Sequence, residues 1–169
     1  MRKIFLLTLA ILASSAIMQA QSFGYINTEK ILTSIPEYKT AQQQIERIKK
    51  QYEAEIEAGM KNVEVLYNTY QSQKASLSQT ERSTRENEII TKERAAKELQ
   101  KKYFGQDGVM TQTSKEMLEP IMTRVKAAVE KVAMDEGIII IFDIASAQGV
   151  VYSNPANDLS PKVLKALTK

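Results

Sequence analysis

Apolar positions along this chain change their period twice, and the changes divide it into two kinds of structure. After Pro36, the residues Ile45, Ile48, Tyr52, Ile56, Met60, Val63, Tyr67 and Tyr70 recur at steps of three or four, which sets them on one face of a helix. Tyr52 to Val63 contains an eleven-residue step, so the seam is expected to lose left-handed supercoil there. A thinner stripe, Ile89, Ala96, Leu99 and Tyr103, keeps similar spacing. Between the stripes, Ser78 is suited to cap a helix N-terminus and Glu81 stands three residues later, as a capping box requires. The chain is therefore expected to turn back just before Ser78, giving a long antiparallel α-helical hairpin over residues 37–117 with its tip near 76–80. From Glu37 to that turn is about 40 residues, or roughly 60 Å of helix, so the arm is expected to project into solvent.

Strand patterns bracket the helices. Gly24 to Asn27 is one β-like segment, and Ile138 to Asp143 is another, a continuous apolar run of the kind buried on both faces. A turn through Ser146 to Gly149 leads to Val150, Val151 and Tyr152, which makes a β-hairpin plausible. Ser160 and Pro161 read as the cap and first residue of a last helix, docked by Val163, Leu164 and Leu167. Residues 21–36 and 118–169 then form a β-rich body, and the expected fold class is α+β. Three strands and some 60 residues make a marginal domain, so copies of the chain are expected to share a core through Ile138, Ile140 and Phe142; spacing leaves the number of subunits open.

Glycine and proline punctuate the arm. Gly59 costs roughly 1 kcal/mol against Ala in a helix interior, and Gly105 and Gly108 mark a place where the second helix loosens or breaks. Pro120 is expected to kink the chain where arm meets body. Beyond it Ile121, Val125, Ala128, Val129 and Val132 restore an apolar stripe that Gly137 ends as a C-cap.

Residues 1–20 stand apart from the fold. Arg2 and Lys3, the apolar stretch Ile4 to Leu12 and small residues up to Ala20 read as a secretory signal, which places the mature chain in the periplasm. No cysteine follows it, so neither a lipid anchor nor a disulfide framework is expected. Without His or Cys the chain has no Ser-His-Asp triad, thiol nucleophile or Cys/His zinc site. Gly105-Gln-Asp-Gly108 lacks the lysine and preceding strand of a phosphate loop, so no nucleotide or other cofactor is expected. No pair of carboxylates is placed to suggest a hydrolase, and the chain is read as a non-enzyme. With Arg2 and Lys3 removed, 21 basic residues face 20 acidic ones, which gives no argument for nucleic acid.

Signal peptide, the Phe23-Gly-Tyr-Ile-Asn-Thr-Glu-Lys-Ile-Leu32 segment with Pro36 and Ala41, Leu118-Glu-Pro-Ile121, and the closing Asn154-Pro155, Asp158-Leu-Ser and Val163-Leu-Lys165 strongly resemble the Skp/OmpH family of periplasmic chaperones. The resemblance covers the whole mature chain. It implies a homotrimer in which a small β-barrel-like oligomerisation body carries three coiled-coil tentacles around a cavity, and an ATP-independent holdase for unfolded outer-membrane β-barrel proteins. A structural coiled-coil adaptor for a folded partner is the alternative. Client contacts are expected among Met60, Val65, Leu66, Tyr67, Tyr70, Leu77 and Ile90, the same residues serving otherwise as seam or turn packing. In one respect the chain departs from the family, whose members are markedly basic: residues 61–94 hold six basic and five acidic side chains. Lys74, Arg82, Arg85, Lys92 and Arg94 form at most a local cluster near the tip, and contact with a membrane surface has no support from charge.

Overall fold

The structure, a computed structural model, describes residues 23–168 of the 169-residue chain. The secretory signal and Ala20 lie outside the described residues. Chain order is β1 (Phe23–Ile26), α1 (Thr28–Thr33), α2 (Pro36–Gln73), α3 (Gln79–Phe104), α4 (Val109–Glu136), β2 (Ile140–Asp143), a 3-10 turn (Pro155–Asn157) and α5 (Ser160–Leu167). Two compact units result, residues 23–34 with 124–168, and residues 35–123.

In the first unit β1 and β2 pair parallel, with Phe23 opposite Ile140 and Ile26 opposite Asp143. On the other edge of β1, Tyr25 bridges to Asp158, and the Tyr25 carbonyl accepts the Leu159 N–H at 2.8 Å. Ile26, Ile31 and Leu32 bury against a core that includes Val125, Ala128, Val132, Leu159 and Val163, and α1 packs on α5. Asn27 caps α1 by accepting the Lys30 N–H. Gly137, at φ +63°, closes α4 in the manner its sequence indicates: Ile138 N–H reaches the Ala133 carbonyl and Gly137 N–H the Met134 carbonyl, which together make a Schellman cap.

Three expectations for this unit need correction. Val150, Val151 and Tyr152 form no strand, and β2 finds its partner in β1 instead of in a hairpin. The reason lies at Asp143, whose carbonyl accepts from Ala147 N–H and whose carboxylate accepts from Ala145 N–H, winding the chain into turns. The run Ile138 to Phe142 is not buried on both faces within one chain, since Ile139, Ile140 and Phe142 are all exposed. Ser160 is not the cap of α5. It is fully buried, and its hydroxyl accepts the Asn27 N–H at 2.9 Å across 133 residues, while the Asp158 carboxylate accepts the Ser160 N–H.

The second unit is built on α2 and α3, which pack antiparallel: Tyr52 stacks on Tyr103 with centroids 3.9 Å apart, Gly59 meets Ala96, and Tyr70 meets Glu86. The chain reverses between Gln73 and Gln79, and Ser78 and Glu81 form the reciprocal capping box at the start of α3. Gly105 and Gly108 break the path between α3 and α4 because a side chain fits at neither. A Cβ on Gly105 would lie 2.4 Å from the Lys101 carbonyl oxygen, and one on Gly108 2.7 Å from that of Tyr103. Pro120 sits inside α4, which continues through it.

The seam takes a different phase from the simple stripe. Met60 and Tyr67 point outward, 45% and 50% exposed, and Gly59 and Leu66 take their places. The buried and half-buried series is thus Ile45, Ile48, Tyr52, Ile56, Gly59, Val63, Leu66 and Tyr70. Its steps alternate strictly three and four from Ile56 onward, so the eleven-residue step falls at Ile45 to Ile56 and not at Tyr52 to Val63. Gly59 lies in the seam opposite Ala96, where an added Cβ would stand 3.4 Å from the Ala96 Cβ, an ordinary contact distance. It is a packing position inside α2, which runs unbroken from Pro36 to Gln73.

Candidate functional site

Among the described residues, no group of three or more acidic side chains is arranged to hold a metal ion. No helix among the described residues is long and apolar enough to cross a membrane. What the fold leaves outside is apolar side chain, on two separate surfaces.

The first belongs to the strand-bearing unit. Phe23 and Phe142 hold their rings 6.4 Å apart at the β1–β2 pair, and with Val150 and Tyr152 they line a shallow cleft. Val151 is 99% exposed and Ile139 65%. Of the residues expected to form a shared core, Ile140 and Phe142 are exposed and Ile138 is half-buried. Parallel pairing aims them here: Phe23 opposes Ile140, and Tyr25 opposes Phe142. Asp143 fixes the end of this strand. Burial alone would push its carboxyl up, but donors from the Thr28 hydroxyl and N–H, the Ala145 N–H and the Ser146 hydroxyl together hold it below the ordinary aspartate value. The same carboxylate thereby ties β2 to the first turn of α1, with Thr28 N–H donating at 3.1 Å.

The second surface lies along α2 and α3. Met60, Tyr67, Val65 and Ile90 are exposed, the last two at 55% and 51%. Three other expected contact residues turn inward. Tyr70 is 4% exposed, Leu66 sits in the seam, and Leu77 is half-buried at the reversal. Tyr70 donates its hydroxyl to Glu86, and Tyr103 donates to Glu55 at 2.8 Å. Each carboxylate, together with burial, pushes its phenol above the usual tyrosine range. Sequence periodicity misses Phe104, which is exposed and lines a cleft with Ile56 and Gln100. Its signal was present: it falls one position beyond Tyr103, off the buried stripe and onto its flank.

The basic residues near the reversal each have a local partner or follow along α3. Lys74 lies over the Tyr70 ring at 5.6 Å, Arg82 donates to the Leu77 carbonyl at 3.1 Å, and Arg85 pairs with Glu88 at 3.4 Å. Lys92 and Arg94 follow farther along α3. Glu81, bound by the Ser78 hydroxyl and N–H, is held below the usual glutamate range.

This arrangement has known counterparts. The chain is 27% identical over 154 residues to the chaperone protein Skp of Yersinia enterocolitica, covering 91% of this chain and 90% of that one. It is 28% identical over 175 residues to the chaperone protein Skp of Vibrio cholerae, covering 95% and 94%. A crystal structure described as that of a putative outer membrane chaperone (OmpH-like) from Caulobacter crescentus superimposes with a TM-score of 0.68 at 14% identity, over 86% of this chain and 82% of that one, and shows the same fold. Residues 22–167 match the family described as Outer membrane protein (OmpH-like), so this chain, two-stranded parallel sheet and long helices included, is a member of the OmpH-like family.

Proposed function

We propose that this protein is an ATP-independent periplasmic holdase that binds unfolded outer-membrane β-barrel proteins and keeps them from aggregating on the way to the outer membrane. The observation that carries the reading is the likeness, over nine-tenths of each chain, to two proteins named chaperone protein Skp. The physical features agree with it. Apolar side chains lie exposed along helices whose remaining surface is charged. An unfolded chain offers many weakly apolar segments, and several such surfaces in one assembly meet them with many weak contacts at high effective concentration. Binding that favours the unfolded chain then opposes its collapse and aggregation.

The same reading assigns residues 21–36 and 118–169 to a β-barrel-like body that makes the protein a homotrimer, and residues 37–117 to the arm. Support comes from the apolar strand β2, which exposes Ile139, Ile140 and Phe142 in a single chain and has an open edge opposite β1. Exposed apolar strands of this kind are pairing surfaces. Ile140→Asp is expected to dissociate the assembly in sedimentation, and a variant that still sediments as wild type would remove that assignment. For the holdase itself, a urea-unfolded outer-membrane β-barrel protein is diluted with and without the mature protein, no nucleotide being present. Suppressed light scattering and a stable complex near one client per trimer are expected; unchanged aggregation would overturn the reading in favour of an adaptor for a folded partner.

A further inference from the structure

The seam defines a heptad register in which Ile56, Val63 and Tyr70 stand at a and Gly59 and Leu66 at d on α2, with Ile89, Ala96 and Tyr103 at a and Leu99 at d on α3. In that register the exposed apolar residues are not scattered. Met60 and Tyr67 fall at e, and Ile90 and Phe104 fall at b, the neighbour of e on the outer surface. Val65 falls at c, on the other side. Because α2 and α3 run antiparallel, their e positions flank the seam on one side and their g positions on the other, so Met60, Tyr67, Ile90 and Phe104 share a single long face. The cleft lined by Lys49, Glu53, Ile56, Glu57, Gln100 and Phe104 lies on that face and joins the two helices across it.

From this one-sidedness we infer that the e/b face of α2 and α3 is the surface that holds client polypeptide, and that its occupant is an extended, unfolded segment bearing aliphatic and aromatic side chains and few acidic ones. The inference rests on the holdase reading and adds to it a face, its residues and a charge preference. Two observations choose this occupant. Charged residues at the e and b positions are acidic in excess: Glu53, Glu57, Glu64, Glu86 and Glu93 stand against Lys50, Lys74 and Lys97, of which Lys50 pairs with Glu46 at 3.7 Å and Lys97 with Glu93 at 2.5 Å. Such a frame repels an anionic headgroup and favours neutral or basic flanks. Spacing supplies the second. Met60 and Tyr67 are seven residues apart, about 10 Å along a helix, which is about three residues of extended chain. Apolar islands separated by charge cannot seat a second helix, which needs an unbroken stripe, whereas single side chains of an extended segment fit them one at a time.

The chain contains no cysteine, so single cysteines carrying a polarity-sensitive fluorophore can be placed without background. Labels at Met60→Cys, Tyr67→Cys and Phe104→Cys, with Val65→Cys on the opposite side, are compared as a urea-unfolded outer-membrane β-barrel protein is captured. Blue-shifted emission at the first three and little change at Val65→Cys is expected. Equal shifts on both sides, or a shift at Val65→Cys alone, would overturn the inference while leaving the holdase reading intact. Failure of the unlabelled protein to suppress aggregation would instead overturn the holdase reading itself. As an independent measure, the combined variant Met60→Ser, Tyr67→Ser, Ile90→Ser and Phe104→Ser is expected to lose about tenfold or more in client affinity, since weak contacts multiply, with Val65→Ser within twofold of wild type. Unchanged affinity in the combined variant would also sink the inference. These four positions are on the surface, and unchanged far-ultraviolet circular dichroism checks that the helices persist.

Discussion

Replacing Gly59 by alanine is expected to stabilise the protein, even though this glycine sits in the seam between two helices. In the interior of a helix Gly is worse than Ala by about 1 kcal/mol, because it has more backbone freedom to lose. Against that gain stands the contact a new Cβ would make. Its nearest neighbour is the Ala96 Cβ at 3.4 Å, with nothing else within 4 Å. That separation is close to the optimum for a carbon pair, where the interaction is worth about 0.1–0.2 kcal/mol and is attractive. Net stabilisation of about 0.5–1 kcal/mol remains, which raises the melting temperature of a chain this size by about 1–4 °C. Far-ultraviolet circular dichroism during heating is the assay, as α2 and α3 dominate the signal. Gly59→Leu supplies the contrast, since its branched carbons must displace Ala96 and overpacking costs about 1–3 kcal/mol. A lower melting temperature for Gly59→Ala would refute the reasoning, because it would mean that α2 and α3 approach more closely than 3.4 Å of new contact allows.

Gly108→Ala should have the opposite sign. Its Cβ would lie 2.7 Å from the Tyr103 carbonyl oxygen and 2.9 Å from the Gly105 nitrogen, both backbone atoms, so a loss of about 1–3 kcal/mol or more is expected in urea unfolding. Ser160→Ala removes the acceptor of the Asn27 N–H in a fully buried place, which should cost about 1–3 kcal/mol, read in the same assay; a neutral result would mean that another acceptor takes over. Asp143 makes stability depend on pH. Its folded carboxyl gives up its proton more readily than the ordinary value of 3.8, so the unfolded chain binds the proton more tightly. The contribution is complete above that ordinary value and falls away as pH drops through the lower, folded one. Urea midpoints measured from pH 5 down to pH 3 should therefore decline less steeply in Asp143→Asn, and identical slopes would argue that the carboxylate contributes nothing.

Local signals in this chain were easy to read, and signals that depend on a distant partner were not. Ser78 with Glu81, Gly105 with Gly108, and Gly137 each act within one turn of backbone, and each terminates or starts a helix where its chemistry requires. The phase of the seam is another matter. Met60 and Tyr67 look more apolar than Gly59 and Leu66 as a set, but Gly59 faces Ala96 of α3, a fact about a residue 37 positions away. Ser160 shows the same effect. Serine before proline has the local chemistry of a cap, yet the Asn27 N–H, 133 residues upstream, takes its hydroxyl. Val150 to Tyr152 have strand composition, and whether they pair depends on what lies beside them and not on their own preference. Exposed Phe104 and the one-sided distribution around it became visible only once the register was known.

The parallel register of β1 and β2 has a consequence in time. Phe23 and Ile140 are partners although 117 positions separate them. Closing a coil of that length carries an entropy cost of about 4 kcal/mol before any constant is added, whereas Tyr70 and Glu86 are only 16 apart. A low-cost route therefore begins at the reversal between α2 and α3, zips toward Tyr52 and Tyr103, and brings the two strands together last. In a chain that emerges from its amino end, β1 must wait for residue 140 before it has a neighbour. A protein suited to sheltering unfinished chains thus passes through its own long unfinished state, with an apolar strand in search of a partner.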